Sequence, residues 1–364
     1  MKPNFKKRRD KILRNVQKHR LSALLVTNEI NVTYLTGFTG DSTYLWLSKD
    51  KTLLLSDTRY TTQLAEECPD VEVVIRDSSS TQLDSIAKLC RSTKATTMGI
   101  EAVHISKSMY DQIENRVQCE LFGTEGWVEE TRSIKDKFEI DLIRKSIAIN
   151  EKAFCVIRAQ MTGDQTEREI AHNLEHQIRK FGGSKCAFEP IVGVGDRSAL
   201  PHGVPSYKRI EESSFVLIDW GARYCGYASD LTRVLATAKI PPKLRKIHEI
   251  VLKAQAAAIS KIRPGATFES ADRAARSLIS KAGFGKKFGH GLGHGFGLQI
   301  HEEPFVSPIH KGVFQKNMVV TVEPGIYLPG WGGVRIEDDV LVTADGHEVL
   351  SSLPKQLDEC VVEL

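Results

Sequence analysis

Phe215-Val216-Leu217-Ile218-Asp219 is an apolar run that ends on a carboxylate, and Val319-Val320-Thr321-Val322-Glu323 repeats the pattern later in the chain. Each is followed, across a glycine-bearing turn, by a second acid in a strand-like stretch. These are Asp230 in Tyr227-Ala228-Ser229-Asp230-Leu231-Thr232 and Glu337 in Val334-Arg335-Ile336-Glu337. A carboxylate on a buried strand costs roughly several kcal/mol to desolvate unless a cation meets it. Two strand pairs with two acids each therefore read as one buried site whose four negative charges two divalent cations would cancel.

Around these strand pairs, apolar residues recur at helical spacing. Helices are predicted near 136–160 and 166–181 before the first pair, and near 242–262 and 267–282 before the second. The helix at 166 opens on Thr166-Glu167-Arg168-Glu169, a capping-box pattern, and stops at Gly182-Gly183. The strands themselves are expected near 214–220, 227–236, 317–323 and 333–342. Two helices and a strand pair, given twice, predict an α+β domain over 131–364 with an internal pseudo-twofold repeat and a metal site between its halves. The preceding residues, 1–130, alternate short strands (Leu21 to Val26, Thr43 to Leu47, Thr52 to Leu55, Val71 to Ile75, Met98 to Ile100) with helices near 5–20, 58–67, 81–93 and 106–117. They predict an α/β amino-terminal domain, a support or cap without a concentration of acids, bases or metal ligands.

Between the second helix pair and the last strands lies Phe288-Gly289-His290-Gly291-Leu292-Gly293-His294-Gly295-Phe296-Gly297-Leu298-Gln299-Ile300-His301-Glu302-Glu303-Pro304. Its five glycines suit backbone that passes close to a ligand or another strand, and leave His290, His294 and His301 as the reactive groups. Any one of them is readily explained as a core histidine bonded to a carbonyl; three beside the acids are not. His202 sits in a short turn, Ala199-Leu200-Pro201-His202-Gly203, suited to presenting its ring. Oxygen-rich ligation with one imidazole, from Asp219, Asp230, Glu323, Glu337 and His294, suits two catalytic divalent ions, with Mn²⁺ foremost and Co²⁺, Zn²⁺ or Fe²⁺ as alternatives. Paired ions of this kind activate water, and the reaction expected is hydrolysis.

Composition narrows the partners. The net charge of +4 is mild, and Lys6-Lys7-Arg8-Arg9 with Lys11 reads as a solvated helix face, so no nucleic acid is expected. The start is charged from Lys2 onward, and no apolar run approaches the ~20 residues of a membrane span. Seven scattered cysteines, odd in number and never in CxxC spacing, point to free thiols and a cytoplasmic protein.

The motifs IDWGA, SDLTR, GHGLGHG, VEPGIY and GVRIEDD, over roughly 185–345, resemble the pita-bread metallopeptidases: Xaa-Pro aminopeptidase, prolidase and methionine aminopeptidase. The amino-terminal part, with Asp57-Thr58-Arg59-Tyr60, resembles the creatinase-type domain of the first two. The resemblance implies that Asp219 and Glu337 touch both metals, Asp230 one, and His294 and Glu323 the other. It makes Glu323 the proton shuttle, His202 and His301 the groups that hold the scissile carbonyl, and His290 part of the proline pocket, with Arg335 orienting the Glu337 cluster. In resembling prolidases an arginine soon after the His-Glu pair clamps the dipeptide carboxylate; here Phe305 stands there, with Arg197 as a possible substitute. An Xaa-Pro aminopeptidase acting on peptides with proline second is therefore expected, ahead of an Xaa-Pro dipeptidase and of a silent peptide-binding module. The expected assembly is a homodimer.

Overall fold

The computed structural model describes residues 3–364; Lys2, the first charge of the chain's start, lies outside the described residues. The chain divides into two compact units, Met1–Arg132 and Ser133–Leu364. No helix among the described residues is long and apolar enough to cross a membrane.

The first unit is built on six strands: β1 (Ala23–Val26), β2 (Tyr44–Ser48), β3 (Thr52–Asp57), β4 (Glu72–Arg76), β5 (Thr97–Glu101) and β6 (Glu120–Thr124), in the order β4-β3-β2-β1-β5-β6. β2 runs antiparallel to both neighbours and the remaining pairs are parallel. Helices α1 (Phe5–Lys18), α2 (Glu29–Thr36), α3 (Thr61–Glu67), α4 (Gln82–Thr93) and α5 (Lys107–Glu114) accompany the sheet, and α6 (Trp127–Ser133) ends it. α2 and β6 escape the sequence pattern. α2 is short and buried nearly throughout, so it lacks an amphipathic stripe, and β6 is polar and half exposed. The basic run on α1 is only partly the solvated face expected: Arg8 and Arg9 are buried, donating to the Tyr34 and Leu35 carbonyls at 3.0 Å each, and Arg8 stacks over the Tyr34 ring. These two arginines satisfy carbonyls at the end of α2, where the helix has no backbone partner to offer.

The second unit opens with α7 (Lys137–Gln160) and α8 (Glu167–Lys180), the latter started by the expected capping box between Thr166 and Glu169. Strands β7 (Lys185–Cys186), β8 (Ile191–Val194), β9 (Phe215–Trp220), β10 (Ala222–Tyr224), β11 (Tyr227–Ala228) and β12 (Leu231–Ala236) follow, then α9 (Pro242–Ile259) and α10 (Phe268–Lys281). The chain continues through β13 (Gly293–Gly295), β14 (Glu302–Val306), β15 (Val319–Val322), β16 (Gly325–Leu328), β17 (Gly332–Arg335), β18 (Asp338–Val342) and β19 (His347–Val349). Antiparallel β8-β9-β12 in the first half recurs as β13-β15-β18 in the second, which is the pseudo-twofold repeat.

β9 is buried on both faces, which is why it reads as an unbroken apolar run. Phe215 and Leu217 join the core of α9 and α10, whereas Val216, Ile218 and Trp220 join that of α7 and α8. Strand alternation thus sends Asp219 to the side of Leu217, toward the second half. Two expected strands are interrupted. The stretch 227–236 breaks at Ser229-Asp230, and 333–342 at Ile336-Glu337, each break falling on an acid. The freed backbone groups cross between the halves: the Asp230 N–H reaches Asp339 Oδ2 at 3.2 Å and the Glu337 N–H reaches the Thr232 carbonyl at 3.3 Å.

Candidate active site

The strand pairs deliver their acids to one point. Asp219, Asp230 and Glu337 each place a carboxylate oxygen within 4.8 Å of the others. His294 Nε2 lies 3.7 Å from Asp230 Oδ2 and 3.4 Å from Glu323 Oε1, so all five expected ligands converge. Glycines make the approach of His294 possible. A Cβ on Gly293 would stand 2.1 Å from the Thr321 carbonyl, and one on Gly295 2.3 Å from the Glu303 carbonyl, so β13 is clamped between its neighbours with His294 alone turned to the acids.

The electrostatics show what this cluster fits. Burial, then repulsion by Glu337 and Asp219, holds the Asp230 carboxyl far above the usual range. Glu337 is raised likewise by burial and by Glu323, and Glu323 is pushed up to about 8 by burial against the opposing pull of Arg335. Arg335 places its guanidinium among the acid side chains; it donates to Asp219 Oδ2, to Thr232 Oγ1 at 3.1 Å and to the Tyr327 hydroxyl at 2.8 Å. One fixed charge does not neutralise four buried acids, and Asp219 Oδ1 is buried with no protein partner. His294 Nδ1 donates to the Gly295 carbonyl at 3.1 Å, which leaves the Nε2 lone pair facing carboxylate oxygens. Burial lowers its pKa to about 3, so the ring is neutral. A lone pair set against carboxylates is repulsive until a cation stands between them. The donor set therefore fits divalent metal ions.

These residues line a cavity of about 820 Å³ whose wall also carries His202, His290, His301 and Arg335, so all nine site residues expected from the sequence meet there. His290 donates from Nδ1 to the Gly291 carbonyl at 2.8 Å and accepts from the Tyr327 hydroxyl at 2.9 Å; burial, aided by Arg335, lowers it to about 4. The His301 ring packs edge-on against His294, 4.3 Å between centroids, and is lowered first by burial and then by His202. Glu302, the neighbour of His301, turns away to a buried ion pair with Lys135 at 3.0 Å. Of the aromatic groups suggested for a proline ring, Phe305 lines the cavity but Phe296 is fully buried outside its wall. Arg197 is not a substitute clamp: it pairs with the fully buried Glu167 at 2.8 Å, donates to the Val204 carbonyl, and does not line the cavity.

Sequence reasoning missed Thr232, Thr321, Tyr327, Ser307 and His310. The two threonines sit two residues from Asp230 and Glu323, and that spacing would have found them. His310, whose Nδ1 lies 2.7 Å from Ser307 Oγ and whose ring packs on Phe305 at 5.2 Å, carries no such signal in Ser307-Pro308-Ile309-His310.

Residues 141–344 match the family described as Metallopeptidase family M24, and residues 8–134 the Creatinase/Prolidase N-terminal domain. A protein of Pyrococcus furiosus named Xaa-Pro dipeptidase is 36% identical over 97% of this chain and 100% of its own length. Among solved structures, an Xaa-Pro dipeptidase from Bacillus anthracis superimposes with a TM-score of 0.94 at 36% identity, covering 99% of this chain and 100% of that one. An X-Pro aminopeptidase from Thermotoga maritima gives 0.88 at 36% identity, with 96% and 100% covered.

Proposed function

The chain belongs to metallopeptidase family M24, and from that premise we propose that it is a metal-dependent Xaa-Pro dipeptidase. The observation that carries the reading is the convergence of five ligand side chains at the floor of a cavity whose wall presents further imidazoles. The relatives of matching length that are named Xaa-Pro dipeptidase turn it toward dipeptides, where the sequence alone favoured an aminopeptidase.

In this reading Asp219, Asp230, His294, Glu323 and Glu337 would hold two divalent metal ions, Mn²⁺ foremost. Such ions supply Lewis acidity and a more acidic water. Thr321 Oγ1 donates to Glu323 Oε1 at 3.2 Å, which leaves Oε2 to accept the proton of the attacking water and return it to the departing proline nitrogen. His202 and His301 donate to the oxygen of the scissile carbonyl as it gains charge. His290, held by Tyr327, and Phe305 face the proline ring. The proline carboxylate meets imidazole at His310, because Arg335 is the only Lys or Arg side chain on the cavity wall among the described residues and is already committed.

That absence of an uncommitted cation is also the observation that favours the second reading, an Xaa-Pro aminopeptidase taking longer peptides. Product analysis by mass spectrometry, with Mn²⁺, Co²⁺ or Zn²⁺ added, tests both. Cleavage of Ala-Pro with little or no cleavage of Ala-Pro-Ala supports the dipeptidase, and Ala-Pro-Ala cleaved at least as well supports the aminopeptidase.

A further inference from the structure

Two thiols in the first unit stand together apart from any metal-binding group. Cys90, buried on α4, and Cys119, half-buried immediately before β6, place their sulfurs 3.8 Å apart, within thiol hydrogen-bonding range. Cys90 belongs to the hydrophobic core of this unit and Cys119 packs against it. The backbone on either side is fixed: the Cys90 carbonyl accepts the Ala95 N–H at 3.1 Å, and the Glu120 N–H donates to the Thr96 carbonyl at 2.9 Å. What separates the sulfurs is therefore side-chain rotation, over a gap that closes to ~2.05 Å in a disulfide. Two other buried thiols are differently engaged, Cys68 with the Thr36 carbonyl at 3.5 Å and Cys360 with the Pro354 carbonyl at 3.4 Å.

We propose that Cys119 and Cys90 form a hydroperoxide-reactive site, in which Cys119 is oxidised and Cys90 resolves it to a disulfide. The thiolate is the reactive form of cysteine. The contact with Cys90 holds the Cys119 thiol below its ordinary value, whereas Cys90 is pushed up by the same contact and by burial. The accessible sulfur is thus the nucleophile and the buried one the reserve. The Cys119 thiolate attacks one peroxide oxygen; the O–O bond breaks, and the second oxygen takes a proton and leaves as water or an alcohol. The Cys90 sulfur then attacks the Cys119 sulfenic sulfur, the S–O bond breaks, and the departing hydroxide takes the Cys90 proton and leaves as water. Two thiols are oxidised by two electrons in all, and one peroxide is reduced. The product ties the last turn of α4 to the lead-in of β6, closing a loop that contains β5 and α5.

The test treats the full chain with hydrogen peroxide and maps its cysteines by peptide mass spectrometry. The Cys90–Cys119 cross-link should form before the exposed Cys155 and Cys225 are oxidised, and a thiol reductant should reverse it. In Cys90→Ser a dimedone-reactive sulfenic acid should accumulate at Cys119, and Cys119→Ser should give neither product. The oxidised wild type should melt higher than the reduced, a difference that Cys119→Ser abolishes. Oxidation of Cys155 and Cys225 while Cys90 and Cys119 remain thiols would overturn the proposal, as would over-oxidation of Cys119 without a cross-link. Because Cys119→Ser lies at a half-buried position, the comparison survives even if Cys90→Ser folds poorly.

Discussion

Thr232 donates its hydroxyl to Glu337 Oε2 at 2.6 Å, so a fully buried residue of the first half fixes an acid of the second. Thr321 does the same for Glu323 while accepting the His294 N–H at 3.1 Å. The Thr232 hydroxyl occupies one Glu337 oxygen and leaves the other for a cation, whereas Thr321 fixes Glu323 Oε1 and leaves Oε2 for the proton. Thr232→Val keeps the shape and deletes the donor; it should weaken Mn²⁺ binding by about 10–100-fold, the usual cost of losing such support. Thr232→Ser should stay close to wild type. Calorimetric titration of chelator-stripped protein measures both, and equal affinity in the valine variant would deny the hydroxyl this role.

Asp230→Asn removes a charge that burial and two neighbouring acids oppose. The variant should lose its metal and its peptidase activity, yet the metal-free protein should melt higher than metal-free wild type, by about 1–2 kcal/mol of stability. Metal analysis and calorimetry in chelator read the two effects separately. Full turnover by a metal-free Asp230→Asn protein would sink the metal-dependent mechanism.

His202 and His301 line the cavity without standing among the converging ligands. Alanine at either is expected to lower kcat by about 10²–10³ with metal content unchanged, as loss of a donor to a developing oxyanion does. Loss of metal from His202→Ala would make that histidine a ligand instead.

Phe305→Arg would put a guanidinium on a wall where, among the described residues, Arg335 is the only one and is engaged. The expected result is a roughly tenfold gain in kcat/KM for Ala-Pro, about what one charged hydrogen bond contributes, with no gain for Ala-Pro-Ala. Equal gains for both peptides would mean that position 305 does not face the dipeptide carboxylate.

His248, 2% exposed on α9, has its pKa lowered to about 4 by burial, with Arg233 and Arg245 adding repulsion. Since the unfolded chain protonates this ring near its ordinary 6.5 and the folded chain does not, stability is whole above that value and falls as pH drops from 6.5 toward 4. The loss amounts to about 3 kcal/mol when complete. Melting curves of His248→Gln at fixed metal concentration should show a flatter acid limb than wild type; identical slopes would exclude this histidine as the cause.

Much of this was legible because burying charge leaves marks in sequence. Asp219 and Glu323 end apolar runs that only a two-faced strand explains, and the helices around them follow a 3.6-residue period. The parts that were not legible lack a pattern to read: β13 is Gly293-His294-Gly295, a strand defined by its neighbours, and α2 is eight residues in which polar Asn31 and Thr36 are buried beside Val32 and Leu35, so no apolar stripe marks it. The breaks at Asp230 and Glu337 were hidden because the alternation continues through them. The fate of Arg197 was hidden too, since its partner Glu167 looked like nothing more than the first turn of a helix.

β9 gives the catalytic unit a reading frame. Its odd-numbered residues serve one helical layer and its even-numbered residues the other, so inserting or deleting a single residue there would exchange the two sets and carry Asp219 away from its partners. Substitutions that keep β9 apolar alter packing by degrees, whereas a change in its length removes a metal ligand and mismatches two cores at once. Among lineages that descend from this chain, length variation should accumulate in the exposed turns and be purged from these six residues.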